Sequence, residues 1–173
     1  MKNLVIVIIF CVANISLAQN KNIIYSGSKT YESTPTWRFE LNKGHGSLGL
    51  AIGKNKNEGV LLLTIETIIK QIYLKGTVLL FLEDGSVIKC YDKGIKDYLD
   101  GRSLSLYNLT AEEIKILMKK RIIKVRFSLY NNGYESLSAD NKKIIFFGSK
   151  EKSYHETNIE VWDLFYDKYG EDE

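Results

Sequence analysis

Apolar and polar residues alternate along much of the chain, and this two-residue period constrains the fold more than any other feature. Trp37, Phe39 and Leu41 alternate with charged residues, and a similar alternation returns at 48–52 and 123–129. Successive side chains of a β-strand point to opposite faces, so this pattern predicts strands with one buried face and one exposed face. The sequence therefore predicts a fold built mainly on a β-sheet.

Two continuous apolar runs, at 60–65 and 78–82, predict central strands that are covered on both faces. After the second run, the pair Asp84–Gly85 separates two apolar segments. Glycine adopts positive φ without strain, so this pair predicts a hairpin with a two-residue turn.

The remaining segments between residues 66 and 150 alternate between strand signals and polar stretches. The polar stretch 91–101 is predicted to be a loop, because it lacks apolar alternation and contains two glycines. Residues 68–74, 103–107 and 144–147 are predicted to be further strands.

Two helices are predicted from start signals and apolar stripes. Thr110 and Glu113 have the spacing of a capping box, in which both side chains accept backbone N–H groups at the helix start. Ile114, Leu117 and Met118 then form the apolar stripe of a short helix that runs to about Lys120.

The second predicted helix is C-terminal. Thr157 and Glu160 repeat the capping-box spacing, and Gly170 is predicted to end the helix. Its stripe, interpreted as core packing onto the sheet, consists of Ile159, Trp162, Phe165, Tyr166 and Tyr169. 

These elements together predict an α+β fold. We expect an antiparallel, meander-like sheet with one helix after residue 110 and a second at the C-terminus, both packed on one face. Because its central strands are apolar on both faces, we expect them to be covered either by helices or by curling of the sheet toward a barrel or a sandwich. A length of 173 residues fits one such domain.

The N-terminus has the pattern of a bacterial secretory signal peptide. Lys2 precedes an apolar stretch, and the small residues Ser16 and Ala18 stand at the −3 and −1 positions of a cleavage site before Gln19. The alternative, a retained anchor, needs about 20 apolar residues, and Asn14 and Ser16 shorten this stretch. We therefore predict cleavage of residues 1–18 and export to the periplasm or the medium.

The predicted mature chain, 19–173, is a single exported domain with a frayed tail at 170–173. It carries 23 basic and 21 acidic residues, so its net charge of +2 does not indicate nucleic acid as a partner. No further transmembrane segment is predicted. Cys90 is the one cysteine left, which excludes an internal disulfide, and its place beside Ile88 predicts a core residue.

Three motifs recur in the same order in a group of small, functionally uncharacterised exported bacterial proteins, which this chain resembles. They are the glycine-turn hairpin at 82–88, the Tyr-x-Leu-Thr helix start that ends at Thr110, and the Arg126–Phe127 strand. The resemblance covers about residues 37–130. It implies no activity and no functional residues, because these motifs mark structural positions.

Exposed loops are the predicted places for binding residues. The candidates are His45 in a glycine-rich turn, together with Asp92, Asp97, Tyr98 and Asp100 in the 91–101 stretch. Clustered aspartates could also hold calcium, but the spacing differs from that of an EF-hand, and neighbouring lysines neutralise the carboxylates. We therefore predict no metal site.

No cofactor or catalytic set is predicted. The glycines at 44–49 match G-x-G-x-x-G, but a strand pattern follows them where a dinucleotide site needs a helix. Neither histidine has the ligand spacing of a metal site, and no G-x-S-x-G is present.

The predicted function is that of a non-enzymatic binding or structural accessory module of the cell envelope, with a protein or another envelope component as its partner. The alternative is a small extracytoplasmic enzyme whose carboxylates converge only in the folded chain, with Asp84, Asp92, Asp97 and Asp100 as candidates.

Overall fold

The computed structural model describes residues 22–43, 46–56, 58–66, 72–131, 133–142 and 154–170. The predicted leader at 1–18, His45 in its predicted turn, the predicted strand at 144–147 and the last three residues lie outside these ranges. Of the predicted strand at 68–74, the part from residue 72 onward is described.

The described residues form twelve strands and two helices, so the fold is α+β as predicted. The strands are β1 (Asn22–Ser26), β2 (Lys29–Ser33), β3 (Trp37–Leu41), β4 (Ser47–Lys54), β5 (Gly59–Glu66), β6 (Tyr73–Leu74), β7 (Val78–Leu82), β8 (Val87–Cys90), β9 (Asp92–Leu99), β10 (Arg102–Leu109), β11 (Ile122–Tyr130) and β12 (Tyr134–Asp140). The helices are α1 (Ala111–Lys119) and α2 (Thr157–Tyr169).

The strands form one antiparallel sheet that is nearly barrel-shaped. Its order is β8–β7–β11–β12–β3–β4–β5–β10–β9, with β6 also paired to β11 and the β1–β2 hairpin attached to β4 through β2. The sheet curls until β10 meets the β6–β8 region. There the Leu74 N–H donates to Ser103 Oγ (3.3 Å), and the Asn108 N–H donates to the Tyr91 carbonyl (3.1 Å).

The main core fills the inside of this curled sheet, and both helices contribute to it. Its largest fully buried side chains include Trp37, Phe39, Tyr107, Phe127 and Phe165. Cys90 belongs to the same cluster, as predicted, and burial raises the pKa of its thiol well above the ordinary range. A thiol in this setting stays protonated and unreactive at neutral pH.

Helix α1 begins as the sequence predicts. The Glu113 N–H donates to Thr110 Oγ1 (3.2 Å) and the Thr110 N–H donates to Glu113 Oε2 (2.7 Å), which completes the capping box. The predicted stripe of Ile114, Leu117 and Met118 is buried. Ile114 fits closely because β5 begins with Gly59, where a Cβ would stand 2.4 Å from Ile114 Cδ1.

Helix α2 differs from the prediction at its start. Its N-cap is Glu156, which makes no side-chain capping bond, and the Thr157 hydroxyl instead accepts the Ile122 N–H (2.9 Å). Within the predicted stripe, Ile159 and Tyr166 are exposed, whereas Phe165 is fully buried. Val161, which lies outside the predicted stripe, is buried instead, so the contact face of the helix is centred on the row of Thr157, Val161 and Phe165.

The stretch 91–101 is a strand, so the loop prediction is wrong. Its residues 92–99 form β9, which pairs with β10 and lies at the edge of the sheet. An edge strand exposed on much of its surface does not need apolar alternation, which explains why the sequence pattern missed it.

The hairpin of β7 and β8 is present, but its turn is one residue longer than predicted. The Leu82 carbonyl accepts the Gly85 N–H (3.0 Å) and the Leu82 N–H donates to the Ser86 carbonyl (2.9 Å), so the loop is 83–85. Gly85 takes a φ of +85°, the left-handed conformation that three-residue hairpin loops require.

The β1–β2 hairpin lies outside the barrel, against the outer face of β4, β5 and β10. Ile24 and Tyr31 from the hairpin pack there against Ala51, Val60 and Leu106, which form a second buried cluster separate from the main core. The hairpin continues into β3 through a bend, where Thr34 exchanges hydrogen bonds with Ile52 of β4. Neither α1 nor α2 has the length and apolarity that a membrane-spanning helix needs.

Candidate functional site

An open cleft of about 620 Å³ lies between the β1–β2 hairpin and β9. Its described lining comes from six strands, the hairpin turn and the β2–β3 connection: Asn22, Ile23, Ile24, Tyr25, Ser26 and Gly27; Ser33 and Thr36; Ala51; Leu62; Ile95, Lys96, Asp97 and Leu99; and Leu104, Ser105 and Leu106. Its size is within the range of ordinary ligand sites, about 300–1,000 Å³.

The floor of the cleft is the outer face of the sheet, and the strand register explains its composition. Leu62 of β5 stands opposite Leu106 of β10, which in turn stands opposite Ile95 of β9. In the next row on the same face, Leu104 stands opposite Asp97. The hairpin covers the part of this face near Val60 and leaves the rows that reach β9 open.

Large apolar side chains are exposed around the cleft. Tyr25 on the hairpin is 75% exposed and Leu99 on β9 is 59% exposed, and Ile23 and Ile95 are exposed as well. Exposed apolar side chains therefore occur on both walls of one cleft, and groups of exposed apolar residues mark binding sites more often than singly scattered residues do.

The two walls differ in the chemistry of their strand edges. β1 has no charged residue, no proline and no bulge, and among the strands that the structure describes it pairs with β2 alone. β9 has a register shift opposite Leu106 and Tyr107, a glycine at φ +74° (Gly94) and charged residues on its edge. Bulges and charges protect an edge strand from pairing with another strand, so β9 is protected and β1 is not.

A polar cluster holds the hairpin in place; we call its four residues Lys29, Tyr31, Glu58 and Lys93 the Glu58 cluster. Glu58 Oε1 accepts hydrogen bonds from Lys29 Nζ (2.8 Å) and from the Tyr31 hydroxyl (2.7 Å), and Oε2 pairs with Lys93 Nζ. The cluster therefore joins the hairpin to the β4–β5 turn and to the start of β9.

The charges of the Glu58 cluster shift two pKa values. Hydrogen bonds from Lys29, Lys93 and Tyr31 lower the pKa of Glu58 to about 2. Burial, followed by the hydrogen bond to Glu58, raises the pKa of Tyr31 to about 12. At neutral pH the carboxylate is therefore ionised and the phenol is protonated, as the three hydrogen bonds require.

Of the binding residues predicted from sequence and described by the structure, Asp97 alone faces the cleft. Asp92 instead holds the β9 bulge: it accepts the Gly94 N–H (2.8 Å) and pairs with Lys96 Nζ (3.0 Å). Tyr98 pairs with the buried Ser103, so it lies on the opposite face from Asp97.

Of the other two predicted binding residues, Asp100 is described and is not among the residues that line the cleft. Asp100 occupies the β9–β10 turn with a φ of +50°. His45 lies outside the described residues.

The four carboxylates of the enzyme alternative occupy different surroundings. Asp84 lies in the β7–β8 turn, where Lys120 and Ser86 lower its pKa, and the other three are distributed along β9 and its turn. Within the ranges that the structure covers, no group of three His, Cys, Asp or Glu side chains is placed to hold a metal ion.

The hairpin wall is the part of the cleft that the sequence analysis missed. A signal for it exists: Gly27 and Ser28 separate two short segments rich in isoleucine, tyrosine and threonine, which is the pattern of a hairpin with a two-residue turn. Gly27 takes a φ of +59°, as the first position of such a turn requires. In comparisons with known proteins, no protein-family model, no curated protein and no solved structure matches this chain.

Proposed function

We propose that this protein is an exported bacterial binding protein of the cell envelope, and that its ligand-binding site is the cleft between the β1–β2 hairpin and β9. The observation that carries the proposal is the apolar surface of this cleft, where Ile23, Tyr25, Ile95 and Leu99 are all exposed. A ligand with an apolar portion removes that surface from water, which stabilises the complex by about 25 cal/mol per Å² before the costs of association.

A binding role also agrees with the chemistry of the cleft. The described polar side chains in its lining are those of three serines, Thr36, Tyr25, Asn22, Lys96 and Asp97. Lys96 is already paired with Asp92. Such a lining can hold and orient a ligand, and it offers no nucleophile with an adjacent base. The N-terminal sequence supports the proposed compartment, because it has the three-part pattern of a secretory signal.

The test uses the whole sequence produced in a bacterium and purified after export. An intact mass that lacks residues 1–18 supports export, and a mass that retains Met1 contradicts it. Binding is then measured by titration with a neutral apolar fluorescent probe, N-phenyl-1-naphthylamine.

Two matched variants separate the cleft from the rest of the surface. Ile23 on β1 is 48% exposed, and Val87 on a different edge strand, β8, is 47% exposed. We expect Ile23→Lys to weaken probe binding at least tenfold, because it places a charge on the cleft wall, and Val87→Lys to leave binding unchanged. Equal binding by both variants and the parent protein overturns the assignment of the cleft.

A further inference from the structure

We propose that the ligand is an extended polypeptide segment that adds to β1 as a new antiparallel or parallel strand. This inference rests on the proposed function of the cleft and specifies the class of ligand. The decisive feature is that six consecutive residues, 22–27, line the cleft. Side chains of a strand alternate between two faces, so an unbroken run of lining residues means that the cleft borders the backbone edge of β1.

The hairpin register shows which backbone groups face that edge. Ser26 and Lys29 close the two-residue turn as a hydrogen-bonded pair, and Ile24 opposite Tyr31 is the next such pair. The N–H and C=O groups of the alternate residues Ile23 and Tyr25 therefore point away from β2. Within the described residues, no backbone partner is found for these four groups.

A peptide strand satisfies these groups, and an apolar small molecule does not. An acyl chain in the cleft would remove the outward N–H and C=O groups of Ile23 and Tyr25 from water without replacing their hydrogen bonds, which is unfavourable. An added strand pairs with the same groups and places alternate side chains over the floor beside Leu104. The edge of β1 also lacks the charges and bulges with which proteins prevent strand addition.

Charge complementarity specifies the segment further. Asp97 stands on the cleft face of β9, and its one hydrogen bond among the described residues comes from the Tyr98 backbone N–H (2.7 Å). The nearest cation in the lining, Lys96, is paired with Asp92. The cleft therefore fits a segment with apolar residues at alternate positions and one basic side chain, about five residues long to match β1.

The probe is a blocked nine-residue peptide that alternates valine with threonine and has lysine at its centre, added to the exported protein. We expect binding to slow hydrogen exchange of the Ile23 and Tyr25 amides at least tenfold, with little change at Ile24, whose N–H is already bonded to β2. Protection of none of these amides in a saturated complex overturns strand addition.

Two substitutions at one position separate the backbone from the side chain. Tyr25→Pro removes an outward N–H that the hairpin does not use, and edge strands accept proline at such positions. Tyr25→Ala removes the ring and keeps the N–H. We expect the proline variant to bind the peptide at least tenfold more weakly than the alanine variant, with the same far-UV and near-UV spectra. Equal affinities contradict the proposal.

The role of Asp97 is tested with a second peptide in which norleucine replaces the lysine. We expect Asp97→Asn to weaken binding of the lysine peptide about threefold to tenfold and to leave the norleucine peptide unaffected, with Asp100→Asn as the control variant. A similar loss of affinity for both peptides contradicts the inference that Asp97 recognises the basic side chain of the segment.

Two other occupants are distinguished in the same experiments. Binding of laurate without binding of either peptide overturns strand addition and leaves the apolar binding site in place. A dimer in solution that Ile23→Lys dissociates makes a second copy of the chain the occupant, and also overturns the peptide proposal. Failure of the neutral probe, laurate and both peptides overturns the proposed function itself.

Discussion

The two buried clusters of this protein differ in how they are held together. Inside the barrel, side chains from at least nine strands and both helices interdigitate. Outside it, the hairpin is attached through five buried residues, one partly buried leucine and the Glu58 cluster. Leu63 and Leu62 are neighbours in β5, yet the first belongs to the interior cluster and the second packs on the outer one.

Because of this difference, the region that contributes most to stability is not the region that forms the hairpin wall of the proposed binding site. The barrel interior contains most of the buried apolar surface, so it dominates the free energy of unfolding. The hairpin has fewer buried contacts, and segments of this kind open locally at a lower free energy than the whole domain. Of the two described clusters, the one that forms a wall of the cleft is therefore the more weakly held, and we expect this wall to adjust when the proposed ligand binds.

The largest expected effect comes from truncating the two neighbouring leucines. Leu63→Ala removes a fully buried side chain from the barrel and should lower the free energy of unfolding by about 2–5 kcal/mol. Leu62→Ala truncates a partly buried side chain on the outer face and should cost about 1 kcal/mol. Urea denaturation followed by tryptophan fluorescence measures both. Equal losses would show that the two clusters stabilise the fold equally.

A smaller and more local effect is expected from Glu58→Gln. This change leaves Lys29 and Lys93 close together without the anion between them, and should weaken hairpin attachment by about 1–2 kcal/mol. Hydrogen exchange of β1 and β2 amides, compared with β11 amides, is the measurement.

Glu66→Gln is the matched control for this change. Glu66 is 72% exposed and lies 3.5 Å from Arg102, so its replacement should alter stability by less than about 0.5 kcal/mol. Global destabilisation by Glu58→Gln, with β11 amides affected as much as β1 amides, would contradict local attachment.

Acidification should weaken the attachment of the hairpin, and the loss of free energy should be similar to or smaller than that caused by Glu58→Gln. The Glu58 carboxyl titrates near pH 2 in the folded chain and near 4.5 when unperturbed, so its stabilising effect is complete above about pH 5 and is lost as the pH falls toward 2. Tyr31 has the opposite sign: its raised pKa stabilises the fold below about pH 10, and this effect is lost as the pH rises toward 12.

The hairpin should therefore be held most firmly between about pH 5 and 10. Because Glu58 is partly solvated, we expect its share of the acid effect to be about 1–2 kcal/mol. Exchange rates of β1 amides at several pH values, corrected for intrinsic exchange, measure it. Glu58→Gln should lack most of the acid-dependent change, and an identical pH profile in that variant would contradict the assignment.

Features that depend only on residues close together in the sequence could be predicted from it. The capping box of α1 involves residues three apart, and within the described chain no distant group takes the place of its two local hydrogen bonds. Thr157 and Glu160 have the same spacing, but a residue 35 positions away uses the Thr157 hydroxyl, so the second capping box does not form. The position of the Asp84–Gly85 hairpin was predictable for the same local reason, whereas its turn length was not.

The candidate site likewise contains features that could be predicted from the sequence and features that could not. The stretch that contains Asp92 and Asp97 was identified as a binding region from its polarity, yet its strand pairing and bulge direct Asp97 into the cleft and use Asp92 to hold the backbone. The apolar wall formed by Ile23 and Tyr25 carries no charged or catalytic signal. Its relevance depends on where the hairpin packs, and a pattern confined to one segment does not contain that information.

The sequence by itself determined that this chain forms an antiparallel sheet with a short capped helix after residue 110 and another at its C-terminus. Those properties follow from two-residue and 3.6-residue periods and from side chains that reach only a few positions along the backbone. Only the tertiary structure decided that the first hairpin lies outside the barrel, that β1 pairs with β2 alone among the described strands, and that its other edge shares a cleft with Asp97 over an apolar floor. These features come from contacts between residues far apart in the chain, whose geometry is set by the packing of the whole sheet.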